Sequence, residues 1–346
     1  METRICVIGA GAIGGVTAAY LAKAGHDVTL VTKHPEVAAL SSGEGLHITG
    51  IRGDERIRVP AAATVEELEG LYQFCLIATK AYDMPDCARR MLPHLTEDAL
   101  VVSMQNGICT DALAEEIGPE HTVGCVIGFG ATMKGSGELE MTSTGEFVIG
   151  MADRSQSARL EELRKILSDV VPASVSDDIY AELYSKLIVN ACITALGAVC
   201  GLTLGEMMQR RDARCIFLGV IDEGVRVADA MGLTIPLYGG KLNYHRLMKG
   251  SGPLDRLRRH LTIRIVGLKY SRLKSSSLQS LERGRPTEIQ YFNGYIVRKG
   301  ASVGISCPIN ERLTEMVAEI EQGKRRITTD NLADLKLSAA LDDRVG

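Results

Sequence analysis

The sequence predicts an α/β domain built on a parallel sheet, followed by an all-α domain. Three observations carry this. Short uninterrupted apolar runs, such as Ile5-Cys6-Val7-Ile8 and Phe74-Cys75-Leu76-Ile77, recur in the N-terminal part, as buried parallel strands do. The first run leads directly into a glycine-rich turn and then into helical periodicity. From Ser176 onward strand signals fade and helical ones dominate.

A chain of 346 residues suggests two domains. Hydrophobic residues make up 45% and charged ones 24%, which supports a sizeable core and argues against global disorder. The net charge of −4 argues against a nucleic-acid footprint, which needs a basic surface. The nine cysteines are an odd number without a C-x-x-C pair. Cys6, Cys75, Cys125 and Cys192 lie within apolar runs, where a thiol packs as a small hydrophobe. That fits a reducing compartment and gives no support for a metal site. METRICVIGA runs straight into a strand with no secretory signal, and the one candidate membrane span, 187–200, is short and carries Asn190. The expectation is a cytoplasmic protein with no membrane or nucleic-acid partner.

The first strand, Arg4–Ile8, is followed by Gly9-Ala10-Gly11-Ala12-Ile13-Gly14, and helical spacing then runs through Val16, Ala19, Tyr20 and Ala22. Val28-Thr29-Leu30-Val31 is the next strand. Strand, G-x-G-x-x-G, helix and strand in this order make a Rossmann-type dinucleotide site. Gly9 makes the tight turn, Gly11 lets backbone approach a pyrophosphate, and Gly14 lets helix and strand pack closely. The helix N-terminus offers N–H groups and partial positive charge to the phosphates. An NAD site usually ends the second strand with an acid, whereas here Val31-Thr32-Lys33-His34 stands there. Lys33, with Thr32 or His34, could receive a 2′-phosphate, so the expected cofactor is NADP(H). The alternative is an ordinary surface lysine.

Residues 36–40 read as a short helix, and 45–49 and 56–60 as strands. Lys80 follows the apolar strand at 74–79, and Gln105-Asn106-Gly107 follows the one at 100–104. Ligands of open α/β sheets sit outside the carboxyl ends of the strands, so Lys80 and Asn106 are candidate cofactor or substrate contacts. A helix-start lysine and an Asn-Gly turn are the ordinary alternatives. Residues 138–142 and 146–150 read as an edge hairpin around Ser143-Thr144-Gly145, 159–167 as a helix and 170–175 as a last strand. The N-terminal domain is therefore placed at 1–175.

A long helix is expected over 176–201, capped by Ser176, Asp177 and Asp178. Lys186, Asn190 and Thr194 form one row on an otherwise apolar helix. A charge there needs a partner or a task. A surface pair with Glu182 is the ordinary alternative. Helices are expected at 216–230, 238–252, 254–265 and 309–320, the arginines of 254–265 forming a solvated face. Ser275–279 is a polar run, and Glu288 opens a further helix. The helical substrate and catalytic domain is placed at 176–323 and a polar tail, expected to lack order, at 324–346.

The motifs together resemble the ketopantoate reductase (2-dehydropantoate 2-reductase) family over about residues 4–322. They are GAGAIGG from Gly9, ATKAYD around Lys80, QNG around Asn106, KLIVNACI from Lys186, SSSLQ from Ser275 and GRPTEIQYFNG from Gly284. The resemblance implies NADPH-dependent reduction of ketopantoate on the way to pantothenate. It implies that Lys186 is the general acid, that Asn190 and Thr194 help hold the substrate, and that Ser276 binds its carboxylate. Glu288 would contact the substrate hydroxyl or order the site, keeping Lys186 charged. Lys80 and Asn106 would lie by the nicotinamide and Lys33 by the 2′-phosphate. Thr194, Leu204, Ser277 and Ser280 depart from the family pattern, so another 2-oxo acid is an alternative substrate. A non-catalytic NADP(H) sensor is a further alternative, and the helical domain is a candidate surface for a homodimer.

Overall fold

The computed structural model describes residues 3–335. The chain divides into two compact units, Met1–Leu183 and Tyr184–Gly346.

The first unit runs β1 (Arg4–Ile8), α1 (Ala12–Lys23), β2 (Asp27–Val31), α2 (Pro35–Ser42), β3 (Leu46–Gly50), β4 (Glu55–Ile57) and β5 (Ala61–Ala62). It continues with β6 (Tyr72–Ile77), α3 (Met84–Met91), β7 (Leu95–Ser103), α4 (Thr110–Ile117), β8 (Thr122–Ile127) and β9 (Gly130–Gly135). It ends with β10 (Glu138–Ser143), β11 (Phe147–Met151), α5 (Ala158–Leu167) and β12 (Ala173–Val175). Eight strands form the main sheet in the order β12-β11-β8-β7-β6-β1-β2-β5, all pairs parallel except β8 with β11. The expected α/β fold is therefore present. The central runs Ile5–Ile8 and Phe74–Ile77 are buried on both faces, which is why they read as continuous apolar stretches.

A second sheet of four strands, β4-β3-β10-β9, corrects the expected hairpin at 138–150. β10 pairs antiparallel with β9 before it, through a turn where Gly137 has φ +71°, and parallel with β3. β11 instead joins the main sheet beside β8. The chain crosses between sheets at Gly145, where a Cβ would lie 2.2 Å from the Gly128 carbonyl carbon. The small sheet covers α1, with Leu139 so near Gly15 that a Cβ there would meet it at 2.5 Å. The last strand is also shorter than the run at 170–175 suggests, since only Ala173–Val175 pair.

α6 (Ile179–Cys200) spans the division between units. Asp178 caps it by accepting from the Ala181 N–H at 3.3 Å. By length and composition α6 could cross a membrane, which corrects the shorter run seen in sequence, but 78% of its apolar window is buried as in a core helix. The second unit continues with α7 (Leu204–Gln209), α8 (Arg211–Ala230), α9 (Tyr244–Met248), α10 (Pro253–Lys269), α11 (Ser276–Glu282), α12 (Asn293–Ser302) and α13 (Pro308–Glu321).

The helical unit corrects three expectations and gives the polar run at 275–279 an element. The helix expected over 238–252 shrinks to the five residues of α9, because Gly239, Gly240 and Gly250 take positive φ. The polar run at 275–279 is the start of a helix, with Ser275 as its cap. Glu288 precedes only a 3₁₀ turn, Ile289–Tyr291, and the helix begins at Asn293. The arginine-bearing helix α10 does not simply expose its cations. Arg259 is fully buried and donates to the carbonyls of Leu247, Met248 and Lys249, at the end of α9 where helical acceptors lack partners. Leu254, Leu257, Leu261, Ile265 and Leu268 face solvent instead.

The first part of the tail is packed. Asn331 is buried and donates to the Val199 carbonyl at 2.9 Å, and Arg325 pairs with Glu319 and Asp334. Residues 336–346 lie outside the described residues.

Candidate functional site

In the first unit the candidate residues gather at one edge of the sheet. β7, β6, β1 and β2 are successive neighbours, and each ends beside a candidate residue or loop. The turn Gly9–Gly14 follows β1, Lys33 follows β2, Lys80 follows β6 and Asn106 follows β7. β1 is followed outward in one direction by β2 and in the other by β6, so the edge is a topological switch point.

The three glycines of the turn differ in what surrounds them. Gly9 has φ +112°, and a Cβ there would sit 2.8 Å from the Ala78 carbonyl. A Cβ on Gly14 would lie 2.0 Å from the Gly9 oxygen and 2.8 Å from the Ala78 Cβ. Gly11 has nothing within 4 Å of that position. Its open side is where another molecule can approach the backbone. Gly11 is also the N-cap of α1, with no side-chain cap bond and no acidic residue in the first turn. Ala12 and Ile13 therefore begin a helix whose leading N–H groups and positive dipole end meet no carboxylate of the helix itself. This donor set suits a pyrophosphate, and with Ala10 it is the part of the chain that fits a dinucleotide.

Lys33 is 77% exposed along its side chain and lies 3.4 Å from the Asp83 carboxylate. Thr32 is buried, and His34 is exposed, 3.5 Å from Glu36. Asp27, at the opposite end of β2, pairs with Arg4. Lys80 is exposed and caps the 3₁₀ turn Ala81–Asp83 with its backbone. Asn106 is exposed, and its neighbour Gln105 explains how it is presented. Gln105 is buried, donates to the Ile77 carbonyl at 2.8 Å and accepts from the Ser103 hydroxyl at 2.7 Å. It ties the ends of β6 and β7 together. A polar side chain directly after a buried strand was the signal for it, and the turn-like Asn-Gly pair masked that signal.

In the second unit, Lys186 and Asn190 are partly exposed on α6, while Thr194 is buried. The Thr194 hydroxyl donates to the Asn190 carbonyl at 2.6 Å, so its proton is committed to the helix. Glu182 is half-buried, and burial, then the carboxylates of Glu146 and Asp178, push its carboxyl up.

The serine segment meets α6 at the turn beyond Thr194. Ser275 is buried, caps α11 by accepting from the Leu278 N–H at 3.1 Å, and donates to the Thr194 carbonyl at 3.4 Å. Gly197 makes room for it, since a Cβ there would lie 2.7 Å from the Ser275 hydroxyl. Ser276, the first residue of α11, is exposed, and Ser277 is buried. Glu288 is partly exposed, and its carbonyl accepts from the Tyr291 N–H at 2.9 Å. Among the described residues no cluster of His, Cys, Asp or Glu could hold a metal ion. The nine cysteines are free thiols, and all except Cys87 are buried.

Comparison with known proteins follows this division. The sequence model of the ketopantoate reductase PanE/ApbA family matches residues 5–154, and that of the family's C-terminal part matches residues 178–321. The chain is 27% identical to the 2-dehydropantoate 2-reductase of Archaeoglobus fulgidus, over 92% of this chain and 98% of that one. The crystal structure of a PanE/ApbA family ketopantoate reductase from Ralstonia eutropha JMP134 is similar, with TM-score 0.79 and 29% identity over 94% of this chain and all of that one. D-mandelate dehydrogenase, in a ternary structure with NADH and anilino(oxo)acetate, shares the fold at TM-score 0.77 and 21% identity, covering 93% of this chain and 99% of that one.

Proposed function

This chain belongs to the ketopantoate reductase PanE/ApbA family, and on that premise we propose that it reduces 2-dehydropantoate to pantoate with NADPH, a step of pantothenate biosynthesis. The contact that carries this reading is the Ser275 hydroxyl on the Thr194 carbonyl. It holds the serine segment against the helix that bears Lys186 and Asn190.

The turn Gly9-Ala10-Gly11-Ala12-Ile13-Gly14 holds the pyrophosphate on the uncapped start of α1. Lys33 takes the 2′-phosphate, and Lys80 and Asn106 serve the nicotinamide end. When bound, the reduced nicotinamide supplies a hydride to the ketone carbon. Lys186 donates a proton to the ketone oxygen as negative charge develops there, a role worth about 10²–10⁴-fold in rate. Glu288 keeps the Lys186 ammonium charged and meets the substrate hydroxyl. Asn190 and Thr194 hold the substrate, and Ser276 takes its carboxylate. The working protein is cytoplasmic, divided into a cofactor domain near 1–175 and a helical substrate domain near 176–323. The outward apolar residues of α10 are read as the contact of a homodimer.

A second reading keeps the reaction and changes the substrate to another 2-oxo acid. It is favoured by Thr194, whose hydroxyl proton is spent on the Asn190 carbonyl where an amide would offer a free donor. NADPH oxidation with ketopantoate beside a panel of 2-oxo acids separates the two. The kcat/KM for ketopantoate should stand well above the rest. Lys186→Ala should bind NADPH normally and lose most turnover, and near-normal kcat in that variant would sink the mechanism.

A further inference from the structure

Starting five residues after Glu288, at Asn293, runs a buried polar chain that the reaction as described does not use. Glu223, on α8, is 1% exposed. One of its oxygens accepts from the Ile309 N–H at 2.9 Å. The other accepts from the Asn310 N–H at 3.0 Å and from the Asn310 amide at 2.7 Å. The Asn310 side-chain oxygen in turn accepts from the Asn293 amide at 2.9 Å. Both asparagines are fully buried. Glu223 is thus a carboxylate at the N-terminus of α13, where it satisfies leading N–H groups and meets the positive dipole end.

The last member of the chain is not explained by stability. The Asn293 side-chain oxygen accepts no hydrogen bond, although it is buried. An orphaned buried acceptor costs about 1–3 kcal/mol, which an apolar side chain of similar size would avoid. What Asn293 supplies is direction. Its amide ties the start of α12 to Asn310, near the start of α13.

The other side of Glu288 is tied to the same helix. The Thr287 N–H donates to Glu321, the final residue of α13, at 2.6 Å. Asn310 and Glu321 stand on α13 about 16 Å apart by the helical rise. Between the two ties, Ile289 and Phe292 are buried, and the Tyr291 N–H closes on the Glu288 carbonyl. Residues 287–293 are therefore a short turn held at both ends on one rigid helix. Those two ties hold the backbone on both sides of Glu288.

We propose that Asn293, through Asn310 and Glu223, is a positioning residue for Glu288. This rests on the reading of Glu288 as part of the reductase site. The test is a double-mutant cycle of Asn293→Ala with Glu288→Gln, scored by kcat, KM for ketopantoate, NADPH affinity and Tm. A small misplacement at a reacting centre costs up to about a hundredfold, so Asn293→Ala should lower kcat at least about tenfold with NADPH affinity unchanged. In the Glu288→Gln background the same replacement should change kcat by less than about twofold, because the residue it positions has lost its charge. A drop in Tm would persist in both backgrounds. Glu223→Gln, which keeps the shape but removes the charge and turns one accepting oxygen into a donor, should lower kcat in the same direction and serves if Asn293→Ala does not fold.

Equal, additive effects of Asn293→Ala in the two backgrounds would overturn the positioning role and leave Glu288 in place. Loss of Tm with unchanged kcat in Asn293→Ala would do the same. Full activity of Glu288→Gln alone would overturn the role given to Glu288 and, with it, this proposal.

Discussion

Replacing Gly11 and Gly14 by alanine, one at a time, separates binding from folding at the glycine turn. At Gly14 the new Cβ would lie 2.0 Å from the Gly9 oxygen and 2.8 Å from the Ala78 Cβ. Both neighbours belong to the strand ends of the sheet, and neither can swing aside. Overpacking of this kind costs about 1–3 kcal/mol. In a unit of this size each kcal/mol moves Tm by about 2–4 °C, so Gly14→Ala should melt roughly 2–12 °C lower. At Gly11 the backbone has φ −73°, which alanine adopts, and nothing lies within 4 Å of the new carbon. Its stability should change by less than about 0.5 kcal/mol. The methyl would nevertheless stand where a pyrophosphate approaches α1. Losing one charge-assisted contact there costs about 1.5–3 kcal/mol, or roughly tenfold to a hundredfold in NADPH affinity. Thermal melts and fluorescence titration with NADPH read the two effects apart. Unchanged NADPH binding in Gly11→Ala would refute the site, and a Tm loss there equal to that of Gly14→Ala would refute the geometry.

Lys33→Ala should weaken NADPH while leaving NADH alone. Because Lys33 is 77% exposed and already near Asp83, the loss should sit near 1 kcal/mol or about fivefold, and equal loss for both cofactors would discount the 2′-phosphate contact. Leu257→Asp, in the middle of the outward face of α10, should convert a dimer to a monomer in sedimentation equilibrium, and an unchanged mass would reject that face as the contact. Burial pushes the Glu223 carboxyl up, so its contribution to stability is full below the ordinary value of about 4.3 and is lost as pH rises through the raised one. The Tm difference between the parent and Glu223→Gln should therefore shrink, or turn against the parent, from about pH 4 upward. A difference that grows with pH would mean that the hydrogen bonds to Glu223 outweigh its burial.

How far the sequence could be read depends on the range of the interaction involved. The strand, glycine turn and helix of the first 31 residues are decided locally, and their reading matches β1, α1 and β2 closely. The hairpin failed because pairing is a choice among distant partners. β10 and β11 look alike as short alternating runs, yet one finds β9 and β3 and the other finds β8. Composition shows only a polar run at 275–279, because Ser275 and Ser276 are poor interior helix residues, whereas as cap and first residue of α11 they are favoured. Arg259 looked like surface because its acceptors, the carbonyls ending α9, leave no mark in composition. Among the site residues, Lys186 and Asn190 stood out against an apolar helix. The ties flanking Glu288 did not, since Asn293 and Glu223 look like ordinary polar residues until Asn310 is placed between them.

The departures from the family pattern can now be weighed by where they point. Leu204 is 1% exposed and begins α7, its N–H bonded to the Leu273 carbonyl at 2.9 Å. Ser277 is 2% exposed. Side chains enclosed in this way line the interior of the helical unit, and a change there alters packing before it alters a ligand contact. Thr194 is buried as well, but it continues the row that Lys186 and Asn190 begin on α6. It lies one turn from Asn190, and its hydroxyl proton is bonded to that residue's carbonyl, which leaves only lone pairs to offer. An asparagine at the same place would present an amide donor to a substrate oxygen, and a threonine with its proton committed cannot. Substrate choice in this chain should therefore turn on position 194 far more than on 204 or 277. Thr194→Asn should raise kcat/KM for ketopantoate relative to bulkier 2-oxo acids, by roughly tenfold for one recovered hydrogen bond. Leu204→Asn should lower Tm through its unpaired buried amide and leave the substrate ratio alone. A shifted substrate ratio in Leu204→Asn with Tm intact would reverse this assignment and put Leu204 in the pocket wall.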